Sequence, residues 1–281
     1  MVICLLSLLL QGIALYAQPD TADLRRLTTR LATMQRQMYG QGTGSYDMAF
    51  YLAALQQKDS AFYYLHRWFD GSADKGPEVL GMYPFRQWHH TPEWKAFEKM
   101  VTDTFLHRSA GLQQPRLALQ LLAARGLDQS VRFYGIFVRN DPRFNREVQR
   151  IDSQHITLMR KVIAKYGYPG ISMVGAEACQ GAFLLCQHAD DDLPFQKQVL
   201  RLMQQRAGDV PKKNIAYLTD RIMVAEEGRQ LYGTQMCGRL QPCPIVDSAR
   251  VDERRREMGL GTMKEYLDGG RLLFGQESTP H

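Results

Sequence analysis

The run Gln187-His188-Ala189-Asp190, with Asp191 and Asp192 beside it, is the most chemically suggestive stretch of the chain. An imidazole among carboxylates has its charged form stabilised and can act as acid or base near neutral pH, which makes His188 and Asp190 candidate catalytic groups and Gln187 a neighbouring ligand contact. The run also ends the most apolar helix expected in the second domain, Ala176 to about Ala189. A helix C-terminus favours a histidine cation, so capping explains His188 as well as proton transfer does. The aspartates equally suit caps of a helix beginning near Phe195, where Gln196 is a further ligand-binding candidate. Asp220-Arg221 sits among Ala216, Leu218 and Ile222. An inward Arg221 needs an anion, either a carboxylate such as Asp190 or a ligand, and Asp220 is the third catalytic candidate.

Gln230 to Gln235 alternates polar and apolar residues and can aim Gln230, Tyr232 and Gln235 at different faces. Glutamine suits oriented hydrogen bonds to an amide, sugar or peptide backbone, so Tyr232 and Gln235 read as ligand contacts. Upstream, Asp128 and Arg132 lie four apart and can pair on one helical face. They are either ligand contacts or a surface ion pair contributing roughly a few tenths of a kcal/mol. No Gly-x-Ser-x-Gly elbow, nucleotide-binding glycine run or zinc-type cysteine pairing accompanies these residues, so no cofactor and no metal are expected. The expectation is a pocket for an unidentified polar ligand, with hydrolysis left open. The competing reading is a non-catalytic interaction protein whose polar motifs satisfy buried groups at helix ends.

The elements that must position these residues read as helices. Leu24, Leu27, Leu31 and Met34 recur at helical spacing before a break at Gly40, Gly42 and Gly44. Ala49, Leu52 and Ala53, then Ala61, Phe62, Leu65 and Trp68, with Lys58-Asp59 as the turn, describe an antiparallel helical hairpin. Tyr46 to Phe69 resembles one tetratricopeptide-type repeat, and Pro77 to Val101 resembles the degenerate turn and helix that close such a unit. That resemblance implies a scaffolding role and a possible protein partner. The loss of apolar period over His107 to Gln114 sets a domain boundary, with a helical segment over 20–106 and a helical domain over 113–275.

Phe144, Val148, Ile151, His155, Leu158, Val162 and Tyr166 fall three or four apart, which predicts a long helix with His155 on its apolar stripe. A histidine there is read first as a packed core residue and second as a ligand. Helices follow from Ala176, Pro194 and Pro211, the last stopping at Gly228; a hairpin or ordered loop spans Gln230 to Val246, Asp247 is placed to cap a helix through Val251 and Met258, and Tyr266 and Leu267 belong to a last short one. The fold class is therefore mainly α, with a repeat-like first segment and a helical domain carrying a small β-hairpin.

Met1 to Ala17 is uncharged and apolar, too short for a comfortable membrane span, and ends at Ala17 before polar Gln18-Pro19-Asp20. It reads as a signal peptide cleaved after Ala17, the alternative being an uncleaved anchor. No Lys or Arg precedes it, a departure that a longer basic leader upstream would remove. Secretion or a periplasmic location follows, with no stable membrane insertion once the leader is cut. Cleavage removes Cys4 and leaves Cys179, Cys186, Cys237 and Cys243. The first two are about 10 Å apart along a helix and read as buried thiols. The second two flank a Gly- and Pro-containing loop that can close a bridge. A net charge of +6 arises from 35 basic and 29 acidic residues interspersed along the chain, which reads as a solvated surface with no nucleic acid expected.

Taken in order, several motifs carry a resemblance. They are Asp128-Gln129 with Arg132, Gly167-Tyr168-Pro169 before Val174-Gly175, Gln187-His188-Ala189-Asp190, Phe195-Gln196, Ala216-Tyr217-Leu218 with Asp220-Arg221, Tyr232-Gly233-Thr234-Gln235, and Arg254-Arg255 before Gly259-Leu260. Over Leu117 to Tyr266 the chain resembles the domain of unknown function numbered 6624. Tyr168 stands where that family tends to have a tryptophan-like residue, and Cys237 and Cys243 lie outside its pattern. The resemblance brings no activity with it. It implies that the polar motifs belong to one domain.

Overall fold

The computed structural model describes residues 45–71, 76–135, 142–238 and 240–274. The leader over 1–17 and the helix expected from Asp23 to Met38 lie outside the described residues. The fold is mainly α with one small two-stranded antiparallel sheet, as the periodicities predict. Among the described residues, no helix is long and apolar enough to cross a membrane.

The chain divides into two compact units, the first from residues up to Thr157 with Met173–Gly181, the second from Leu158–Ser172 with Ala182 onward. This division does not follow the break in period at 107–114. The helix after that break packs with the segment before it, for a reason visible in two glycines described below.

In the first unit, α1 (Ser45–Ala54) and α2 (Lys58–Gly71) form the expected hairpin. Every residue of α1 from Met48 to Ala54 is buried, so this helix is surrounded rather than amphipathic. The turn falls one step earlier than Lys58-Asp59: Gln56 takes a left-handed conformation (φ 60°) and the Gln57 N–H donates to the Leu52 carbonyl at 2.9 Å. Two 3-10 turns follow, Pro77–Gly81 and Tyr83–Trp88, then α3 (Pro92–Arg108), whose first turn is capped by Thr91 accepting the Trp94 N–H at 3.3 Å. Aromatic rings fill the core. Phe85 and His89 stack on Trp94 with centroids 5.7 and 4.4 Å away.

Helix α4 (Pro115–Gly135) meets the first 3-10 turn backbone to backbone. A Cβ on Gly126 would stand 1.9 Å from the Glu78 carbonyl oxygen, and one on Gly81 would stand 1.7 Å from that of Ala123. Only glycine allows this approach, and it makes α4 part of the first unit. Three helices contribute residues to both units, α5 (Pro142–Tyr166), the short α6 (Ile171–Val174) and α7 (Ala176–Gln187).

The second unit continues with α8 (Leu193–Gln205), capped by Asp192 accepting the Phe195 N–H at 3.1 Å, and α9 (Lys212–Glu227), stopped by Gly228 at φ 67°. Strands β1 (Met236–Gly238) and β2 (Gln241–Pro242) pair antiparallel, Met236 opposite Pro242 and Gly238 opposite Gln241. A disulfide joins Cys237 to Cys243 across this ribbon, Cα to Cα 4.8 Å, while Cys179 and Cys186 are buried thiols. The last described helices are α10 (Val251–Glu257) and α11 (Met263–Phe274). Asp247 does not cap as its position suggested. Its backbone is left-handed, and its carboxylate instead accepts from Arg250 Nε at 2.7 Å.

Candidate functional site

Most of the polar motifs of the second unit converge on one loop, 230–235. Asp220, fully buried on α9, accepts the N–H groups of Leu231 (2.8 Å), Tyr232 (3.0 Å) and Thr234 (2.9 Å) and the Thr234 hydroxyl (2.9 Å). The carbonyls of the same loop are held from the other side. Arg254 Nε donates to Leu231 at 2.9 Å and Arg255 Nη1 to Tyr232 at 2.6 Å. Gln230, also fully buried, accepts the Gln235 N–H at 2.8 Å and donates to the Gln235 and Cys243 carbonyls at 2.9 Å. An aspartate enclosed in this way is an anchor: its charge is balanced by oriented donors that would otherwise be buried unpaired. Asp220, a catalytic candidate in the sequence, is placed here with its carboxylate oxygens on the loop donors. Tyr232 serves the loop through its backbone.

At the more open edge, Arg221 donates to both Asp190 oxygens, at 2.6 and 2.8 Å, and to Gln235 Oε1 at 3.3 Å. Burial pushes the Asp190 carboxyl up, and the Arg221 guanidinium, aided by His188, more than offsets this and holds it below the usual carboxylate range. The structure thus brings Asp190, Arg221 and Gln235 into contact, with His188 in electrostatic reach of Asp190. Gln196 is buried on α8, where its amide donates to the Gln187 carbonyl at 3.0 Å and ties that end of α7 to α8.

Asp128 and Arg132 lie in the first unit, where they form a polar core that the sequence did not reveal. Arg132 Nη2 stands 3.0 Å from Asp128 Oδ1 and 2.7 Å from Asp152 Oδ1, and His155 Nδ1 stands 3.9 Å from Asp128. Asp128 is fully buried and His155 nearly so. The pair is therefore not the surface ion pair of the bland sequence reading. Asp152 and His155, three apart on α5, were legible as one helical face, but their meeting with α4 required the fold. Asp128, Asp152 and His155 each bring a donor atom within 4.8 Å of the others, a spacing that suits a divalent cation. The Arg132 guanidinium already supplies the positive charge between the two carboxylates.

Gln129 links this cluster to a cavity. Its Nε2 donates to Asp128 Oδ2 at 2.6 Å, and its side chain lines a space of about 790 Å³. Its lining combines aromatic rings, Tyr46, Phe50, Trp68 and Phe133, with charged groups, Asp47, Glu78, Arg125 and Glu177. Ser130, also in the wall, is committed: it accepts the Tyr83 N–H at 2.8 Å and donates to the Leu127 carbonyl at 3.3 Å. Sequence reasoning missed this site because its residues come from five separate stretches with no common motif.

The fold and these clusters define a helical protein with a small disulfide-closed ribbon and a cavity in its first unit. Residues 114–275 match the model of a family described as a family of unknown function, DUF6624. The chain belongs to that family. No curated protein and no solved structure matches the chain.

Proposed function

We propose that this is an exported protein that binds a small polar ligand in the aromatic-walled cavity of its first unit. The observation that carries this reading is the cavity itself: about 790 Å³, lined by four charged side chains, Gln129 and aromatic rings. Ligand sites commonly occupy roughly 300–1,000 Å³ and combine apolar walls with a few placed polar groups. The Asp190–Arg221–Gln235 cluster supports ligand binding less well, because its members already satisfy one another. Binding, rather than hydrolysis, suits a lining whose one serine is held by the backbone.

Tyr46, Asp47 and Phe50 on α1 and Trp68 on α2 make the helical hairpin a wall of this cavity, which favours a ligand over a protein partner for the tetratricopeptide-like segment. Export rests on the apolar Met1 to Ala17 run and suits the Cys237–Cys243 bridge, since disulfides persist in oxidising compartments.

A neutral fluorescent amine, N-phenyl-1-naphthylamine, tests the cavity. Its emission is expected to rise with wild-type protein and to fall at least tenfold in apparent affinity in Phe133→Ala, whose ring is 41% exposed and adds little to the core. No enhancement with folded wild type would overturn the reading. Intact mass of protein recovered from the periplasm or medium tests export separately, Gln18 being the expected first residue.

A further inference from the structure

Gln129 holds a particular place in the cavity lining, because the partner of its amide is a carboxylate. Its Nε2 donates to Asp128 Oδ2 at 2.6 Å, while Asp128 Oδ1 stands 3.0 Å from Arg132 Nη2. A side-chain amide can in general turn over and exchange its nitrogen with its oxygen. A carboxylate paired with a guanidinium only accepts, so here the nitrogen must face Asp128. The anchor is held in its turn: Asp128 is fully buried, and the guanidinium that meets it also reaches Asp152 Oδ1 at 2.7 Å.

With Nε2 on a buried partner that is not part of the lining, the planar amide turns Oε1 away from that partner. Gln129 is exposed and lines the cavity, so this oxygen is the polar atom it presents there. Among the described residues, no donor reaches Gln129 Oε1. Its neighbour Ser130 shows the contrast, with a hydroxyl engaged by the Tyr83 N–H and the Leu127 carbonyl. An apolar guest that covers Oε1 displaces its water and returns no hydrogen bond, whereas a guest with a donor replaces the bond that is lost.

We infer that Gln129 sets the ligand class of this cavity, selecting a small molecule that carries an N–H or O–H donor on an apolar body. This rests on the cavity being a ligand site. A site that hydrogen-bonds a ligand N–H or O–H rejects the analogue lacking it more strongly than an apolar pocket rejects a change of one methylene. Because Asp128 already fixes the amide, little freedom is lost when the guest binds.

Diphenylamine and diphenyl ether differ by an N–H in place of an oxygen and test the selection by displacing N-phenyl-1-naphthylamine from the full chain. The ether is the more apolar of the two, so burial alone favours it. With wild-type protein, diphenylamine is expected to displace the naphthylamine at a concentration at least tenfold lower than the ether. In Gln129→Met, which keeps the length of the side chain and removes its oxygen, the two should displace it at concentrations within about twofold of each other. A role for Gln129 in holding the cavity together would move both competitors alike and leave their ratio unchanged. Equal displacement by wild type, displacement by neither, or a preference that persists in Gln129→Met overturns the inference and leaves the cavity as a site. Absence of naphthylamine binding to folded wild type overturns the cavity reading itself.

Discussion

The first unit is held by rings and the second by directed hydrogen bonds. In the first, Tyr83, Phe85, Trp94 and Phe97 are buried to 1% exposure or less and pack on one another through apolar area, which tolerates variation in contact geometry. In the second, loop 230–235 is fixed by Asp220, Gln230, Arg254 and Arg255, each of which must stay in place for the others to be satisfied. Polar motifs that stand out in a sequence are therefore not by that fact a functional site. Here the conspicuous ones build a loop, and the inconspicuous ones line a cavity.

The comparison breaks first at Asp220. In Asp220→Ala, three backbone N–H groups and the Thr234 hydroxyl lose their acceptor inside the protein. At roughly 1–3 kcal/mol for each buried orphan, less what relaxation recovers, the loss should be about 4 kcal/mol. Urea unfolding measures it, and hydrogen exchange should show the Leu231, Tyr232 and Thr234 amides losing protection first. A loss below about 1 kcal/mol with protection retained would mean that the loop is held by its other contacts.

In the first unit the matching test is steric. Gly126→Ala places a methyl carbon 1.9 Å from the Glu78 carbonyl oxygen, where backbone rather than a flexible side chain must move. Overpacking of this kind should cost about 3 kcal/mol, and Gly111→Ala, with open space around it, should cost little by the same thermal melt.

How much was legible follows from the same contrast. Helical period fixed α5 from Phe144 to Tyr166 within two residues of its observed start at Pro142, because burial of one stripe is written directly into residue spacing. Caps and stops at Asp192 and Gly228 were also readable, being local. The close approach of Gly81 and Gly126 to their backbone neighbours was not, because it is a contact between distant stretches. Asp128 was visible as a partner of Arg132, yet its burial against Asp152 and His155 depends on how α4 meets α5. Asp190 was one of two partners that charge allowed for Arg221, the other being a ligand, since an inward arginine requires an anion.

His89 sharpens the comparison, because it is a polar group in the unit built from rings. Stacked on Trp94, with no hydrogen-bond partner for Nε2 in the structure, it is pushed down to about 4, chiefly by burial and secondarily by Arg86. Its ordinary value is near 6.5, so between these values the unfolded chain binds the proton more readily than the folded one. Stability contributed at this position is intact above about pH 6.5 and is lost as pH falls, by about 3 kcal/mol at pH 4. His89→Phe keeps a stacked ring without the charge. Chemical denaturation at several pH values should show a shallower acid decline in the variant, and parallel curves would mean that His89 does not titrate as its burial dictates.

The smallest effect belongs to the disulfide, and it tests whether the second unit depends on its hydrogen bonds or on a covalent clip. Cys237 and Cys243 are six apart in sequence, so the bridge closes a short loop and removes little freedom from the unfolded chain, at most about 2 kcal/mol. Gln230 already ties that region from within, its amide donating to the carbonyls of both Gln235 and Cys243. In Cys237→Ser/Cys243→Ser the ribbon should therefore loosen while loop 230–235 keeps its protection. Hydrogen exchange should speed at the Cys243 amide, which donates to the Gln235 carbonyl, and remain slow at Thr234, held by Asp220. If Thr234 instead exchanges as fast as Cys243, the clip and the loop form one cooperative element, and the hydrogen-bond network alone does not account for the second unit.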